Sequence, residues 1–237
     1  MPIPARRRPV RTTPTIRTLC LALATAVSAA CGSARRDAGG APTPKPPPNA
    51  AELTALAKAR ADSARMPSTE ADARFMTGMI SHHAQAIVMA GWAPSHGASP
   101  SIQTLCARII NAQRDEIATM QRWLGDRGLP VPETSPGPMK MSMNGMEHEM
   151  LMPGMLTEDQ MRQLDQARGP EFDRLFLTFM IQHHKGAVSM VKALFGSYGA
   201  AQDETVFKFA NDVSVDQSTE IARMEKMLAA LSPSSPS

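Results

Sequence analysis

A chain of 237 residues with only 4% aromatic side chains, abundant Ala, Leu, Ile and Met, and no alternating β-branched runs argues for an all-helical protein and against a sheet. Five of its 25 basic residues fall in residues 1–31, which hold no acid, so the remainder carries 20 basic against 22 acidic residues and has no electrostatic footprint for nucleic acid. Of three cysteines only Cys106 lies beyond Cys31, so neither disulfides nor a cysteine cluster is expected to hold the fold.

The N-terminus reads as an address. Arg6, Arg7, Arg8, Arg11 and Arg17 precede a short apolar run, Leu19 to Ala30, which is too short to span a bilayer and suits an export signal. The run closes on "SAAC" followed by Gly32, the pattern of a lipoprotein signal in which Cys31 becomes the lipidated first residue, although Ser28 stands where leucine is usual. Residues 32–50 are rich in Pro and Gly and form an extended tether. A membrane reached through this lipid anchor is therefore one expected partner.

A first short helix is expected over residues 51–65, followed by a long one over about 71–93. Ser99-Pro100 is an N-cap with proline at the first helical position and opens a helix over about 100–125. The segment 139–155, "MKMSMNGMEHEMLMPGM", holds seven methionines in seventeen residues and is broken by Gly145, Pro153 and Gly154, so a loop is expected there. Thr157 and Gln160 form a capping box for a short helix before Gly169-Pro170. Long helices over about 170–196 and 202–231 complete the chain.

These long helices are two copies of one unit. Asp72, Phe75, Met79, His82, His83, Ala86 and Met89 recur as Asp173, Phe176, Met180, His183, His184, Ala187 and Met190, at a constant offset. "QRDEIATMQRWL", from Gln113 to Leu124, recurs as "QSTEIARMEKML", from Gln217 to Leu228. Two duplicated hairpins make a four-helix bundle in residues 51–237, with repeat one at about 71–125 and repeat two at about 170–231.

Four of the six histidines sit in the duplicated His-His pairs. On a helix Met79 lies over His83 and Met180 over His184, while His82 aligns with Met89 and His183 with Met190. Met76 adds a thioether to the first of these helices. Methionines alone would be ordinary core fillers. Burying four imidazoles costs a hydrogen bond each, and stability gives no reason to do so twice. In the Met-rich segment Met139, Met141, Met143, Met146, His148 and Met150 have no packing role to explain them. Thioethers suit Cu(I) and imidazole suits either copper state, so copper is the expected metal, with Cu(I) favoured over Cu(II). The recurring acids Asp72, Asp173, Glu116 and Glu220 are read as solvated helix-start or interhelical pairs.

The duplicated phrases, with the stretch from Met152 to Met190, resemble the bacterial domain of unknown function 305 from about Ala71 to Leu228. The resemblance implies a ferritin-like four-helix bundle, export and, in some members, copper binding linked to copper tolerance. It carries over His82, His83, His183, His184, Met79, Met89, Met180 and Met190.

The expected function is that of an exported, lipid-anchored copper-binding protein that sequesters or hands on the metal, with a copper-transfer partner or a homodimer left open. A helical interaction module with structural histidines and a ferritin-like redox metalloprotein are the alternatives. Against the latter, the Glu-x-x-His motif is missing, because Thr119 follows Glu116 by three and Arg223 follows Glu220 by three. No nucleophile elbow, phosphate loop or His-Glu-x-x-His motif marks an enzyme.

Overall fold

The computed structural model describes residues 47–65, 67–143 and 146–231, with the backbone alone for 63–64 and 139–148. The expected export signal, Cys31 and most of the expected tether lie outside the described residues. The elements are α1 Ala50–Ala64, α2 Glu70–Gly91, α3 Pro100–Asp126, β1 Met139–Met143, β2 Met146–Met150, α4 Glu158–Gln166, α5 Pro170–Gly196 and α6 Glu204–Leu231. The long helices begin and end within three residues of the sequence expectation.

Local chemistry sets those boundaries. Thr69 and Asp72 close a capping box on α2, and Thr157 and Gln160 close one on α4. Proline occupies the first helical position of α3 and of α5, where a missing N–H leaves no bond unmade. Helix α2 packs along α3 and α5 along α6, and the two hairpins meet through α2 and α5. The protein is thus the expected all-α four-helix bundle. Short α1 lies outside it, held to the end of α3 by a two-pronged ion pair between Arg60 and Asp126 (Nε···Oδ2 3.0 Å).

The Met-rich segment corrects one expectation. Residues 139–143 and 146–150 are not an irregular loop but an antiparallel ribbon, with Met139 opposite Met150, Met141 opposite His148 and Met143 opposite Met146. Directly opposed residues share a face and successive residues alternate. The register therefore gathers Met139, Met141, Met143, Met146, His148 and Met150 at positions on one face, leaving Lys140, Ser142, Glu147 and Glu149 to the other. The alternation Met-x-Met-x-Met, read above as loop composition, is a strand period.

A second correction concerns the recurring aspartates, which are buried rather than solvated. Asp72 accepts the Ala201 N–H at 2.7 Å, and Asp173 accepts the Ser99 N–H at 3.2 and 3.3 Å. Each repeat thereby ties its first helix to the interhelical turn of the other repeat, and the two ties are related by the duplication.

Candidate metal centre

The apolar interior is two cores rather than one. The first holds Phe75, Met76, Met79, Met120, Trp123, Met190 and Phe209; the second holds Met89, Ile102, Ile109, Phe172, Phe176, Met180 and Met224. Antiparallel helices explain the division. Going along α2 the first core comes before His82 and His83, and along α5 the second core comes before His183 and His184. Helices α3 and α6 contribute Gln113 and Gln217 at the same level. A polar belt of four histidines and two glutamines, all buried, therefore crosses the middle of the bundle between the two cores.

Each pair divides its labour as helical geometry requires, because adjacent residues point about 100° apart. His82 and His183 face each other between the hairpins, with ring centroids 3.8 Å apart and planes inclined by 40°. His83 turns to α3, where its Nε2 donates to the Glu116 carboxylate at 2.6 Å, and His184 turns to α6, donating to Glu220 at 2.8 Å. The sequence reading made these glutamates solvated helix-start or interhelical pairs; interhelical they are, but their partners are the buried imidazoles.

The ring nitrogens carry the chemical information. With Nε2 of His83 and His184 spent on glutamate, and Nε2 of His82 donating to the Pro153 carbonyl at 3.0 Å, Nδ1 is the nitrogen left over on each ring. The Nδ1 atoms of all four histidines are buried without a hydrogen-bond partner, and His183 lacks one at Nε2 as well. Burial, and then the charges of neighbouring histidines, pushes the His82 imidazole down to about 3. His183 is likewise held well below its ordinary value, first by burial and then by His82, His184 and His83. Both are neutral imidazoles with lone pairs available, the form in which histidine binds a metal.

The thioethers stand on both sides of this belt. Met76, Met79 and Met190 belong to the first core, and Met89 and Met180 to the second. The sequence reading missed two more. Met152 and Met155, which flank Pro153-Gly154, are buried in the first core. The segment 152–156 straps across α2 and α5, where Gln85 exchanges two hydrogen bonds with the Leu156 backbone (2.6 and 3.0 Å). Gly186 makes the strap possible, because a Cβ there would lie 1.9 Å from the Pro153 carbonyl oxygen. A mismatch within the repeat carried this signal: Gly186 stands where the first copy has Gln85.

The belt is built without Met150, the one ribbon methionine whose side chain is described. That side chain is exposed. Among the described residues no three His, Cys, Asp or Glu side chains converge as a ready-made cage. Imidazole combined with thioether is the donor set the belt offers. His96 lies elsewhere, bonded to Ser95 and Asp165, and joins the end of α2 to the end of α4. Cys106 is a buried thiol pushed up to about 12, largely by burial, and is chemically inert.

Residues 72–228 match the family model "Domain of unknown function (DUF305)". Two crystal structures of such proteins resemble the chain at TM-score 0.57. One is a DUF305 protein of Streptomyces coelicolor inferred to be secreted, 29% identical over 68% of this chain and 93% of its own. The other is a DUF305 fragment from Deinococcus radiodurans, 28% identical over 69% of this chain and 99% of its own. CopM in its Cu(I)-bound form is 28% identical with TM-score 0.51, over 67% of this chain and 96% of its own, and its Cu(II)-bound form is equally similar. An uncharacterized protein of Acanthamoeba polyphaga mimivirus is 38% identical over 58 residues, a match that takes in 24% of this chain and 38% of that protein.

Proposed function

This chain belongs to the DUF305 family, and we propose that it is an exported copper-binding protein whose buried belt holds Cu(I) for sequestration or transfer. The observation that carries the reading is the set of four buried Nδ1 atoms without partners, two of them on imidazoles oriented by glutamate. Metal-ligating histidines usually donate their other N–H to a carboxylate or a backbone carbonyl, and His83, His184 and His82 each do so here. Purely structural histidines would leave four buried ring nitrogens unpaired, each costing about 1–3 kcal/mol. The flanking thioethers bias the choice towards a soft ion. The likeness to CopM, which was crystallised with Cu(I) and with Cu(II), supports the same choice.

The ligands in this reading are His82, His83, His183 and His184, with thioethers drawn from Met76, Met79, Met89, Met180 and Met190. The ribbon face of Met139, Met141, Met143, Met146, His148 and Met150 is a second, weaker class of site. Lipidation at Cys31 would keep both near a membrane, where a transfer partner or a second copy of the chain could meet them. The ferritin-like redox alternative loses ground, because Glu116 and Glu220 are engaged by imidazoles rather than free to bridge two irons.

Competition for Cu(I) against a chromophoric chelator, under anaerobic conditions, tests this. The full chain should show a tight class that disappears in a variant with His82, His83, His183 and His184 replaced by Leu, with helical circular dichroism checking the fold. Unchanged affinity and number in that folded variant would make the histidines structural.

A further inference from the structure

The four belt histidines have no exposed surface, so an ion reaches them only past other side chains. Where the strap 152–156 crosses α2 and α5, a cavity of about 490 Å³ is walled by Phe75 of α2, by Met150, Met152 and Pro153, and by Met190 of α5. It opens to solvent beside Met150, which is 46% exposed. Pro153 joins it to the belt, because the carbonyl of this same residue accepts the His82 N–H at 3.0 Å.

The chemistry of the walls is one-sided. Their polar groups are already engaged: Arg74 pairs with Glu70, the Ser189 hydroxyl donates to the Gly186 carbonyl at 2.6 Å, and the Ser197 hydroxyl donates to the Ala193 carbonyl at 2.9 Å. The thioethers are not engaged. Met152 and Met190 are each 8% exposed, whereas Met76, Met79, Met89 and Met180 are fully buried. These two side chains also meet. A Cβ built on Gly78 would lie 2.7 Å from the Met152 sulfur and 3.5 Å from the Met190 methyl group. Gly78 corresponds to Phe179 in the second copy of the repeat, just as Gly186 corresponds to Gln85 in the first. Each copy thus gives up a large side chain where the strap seats, and packing alone does not require the residues that fill the space to be methionines.

We propose that this cavity is a Cu(I) site formed by Met150, Met152 and Met190, and that the belt is filled through it. Thioethers without an anionic group beside them suit a soft monovalent ion and are poor ligands for hard divalent ones. Strand β2 ends at Met150 and the chain reaches Met152 two residues later, so along the chain the cavity stands between the ribbon and the strap that covers the belt. Service as the entrance rests on the copper reading of the belt; the thioether site itself does not.

Methionine methyl NMR of the full chain, labelled with carbon-13 at Cε and titrated anaerobically with Cu(I), reads the site directly. The Met150 and Met152 signals should follow one binding curve, with Met190 moving on it, and Met150→Leu should weaken the binding read at Met152 about 10-fold. Met150 is exposed, so this variant folds. A Met152 signal that Cu(I) leaves unmoved, or binding at Met152 indifferent to Met150→Leu, overturns the proposal. Stopped-flow uptake tests the route: filling of the tight class should be about 10-fold slower in Met152→Leu, and an unchanged rate overturns the entrance. A tight class that survives replacement of the four belt histidines by Leu would remove the belt reading, while a Met152 curve that persists there leaves the thioether site standing.

Discussion

The imidazoles of His82 and His183 face each other 3.8 Å apart, one from each copy of the repeat, with no carboxylate on either ring. His82 is anchored by one hydrogen bond to the Pro153 carbonyl, and His183 by none. The centre of the bundle is thus its least satisfied place. Both rings are held neutral by burial, and this links the metal-free fold to pH.

Below about pH 6.5 the unfolded chain protonates these two histidines, whereas the folded chain resists until about pH 3 at His82. Stability from this source is fully present above 6.5 and is lost as pH falls towards 3. The slope in that window is about 1.4 kcal/mol per pH unit for each histidine. Urea unfolding of the metal-free protein at pH 7 and pH 5.5 checks it, with His82→Leu/His183→Leu as reference. Equal slopes in the two proteins would contradict the expectation.

Glu116 and Glu220 orient His83 and His184 and are not themselves ligands of copper in this reading. Replacing either by Gln should keep the fold and lower Cu(I) affinity about 10–100-fold, the usual effect of losing an outer-shell partner. Replacement by Ala should also cost about 1–3 kcal/mol of stability, because a buried imidazole N–H loses its acceptor. Competition titration and urea denaturation read the two effects separately.

Gly186 tests the strap. Its Ala variant drives a methyl group into the Pro153 carbonyl, and overpacking of this kind costs about 1–3 kcal/mol. Gly196, near the end of the same helix, has no atom within 4 Å of a built Cβ, so Gly196→Ala should be neutral or slightly stabilising. Thermal melts of the two variants should diverge.

Much of this architecture was legible in the sequence, because a duplicated period of 3.6 residues needs no tertiary information. The His-His phrases gave two helices and the Gln-x-x-Glu phrases gave their partners. What was not legible depended on contacts between segments far apart in the chain. Glu116 and Glu220 could be read as interhelical pairs but not assigned their partners, because nothing local to α3 or α6 reveals that His83 and His184 sit opposite. Met152 and Met155 read as loop residues because the close approach that buries them is licensed by Gly186, more than thirty residues away. The ribbon was missed for a different reason: methionine has little strand propensity, and the alternation was outweighed by Gly145 and by composition.

The ribbon can be removed cleanly. Met139 and Met150 are paired, so its two ends lie side by side and excision of residues 139–150 leaves only a short gap to bridge with glycine. A single two-stranded ribbon adds little stability of its own. Helical circular dichroism should be unchanged, and the number of weakly held Cu(I) ions should fall.

That excised protein also gives the most direct measurement of the central claim. Copper K-edge X-ray absorption on its Cu(I)-loaded form reads the ligand shell with the ribbon thioethers gone. The expected spectrum combines sulfur scattering with the outer-shell pattern of imidazole, and the imidazole component disappears when His82, His83, His183 and His184 are replaced by Leu. A protein that retains no copper, or a shell without imidazole, would contradict the assignment of the buried histidine belt as the copper centre.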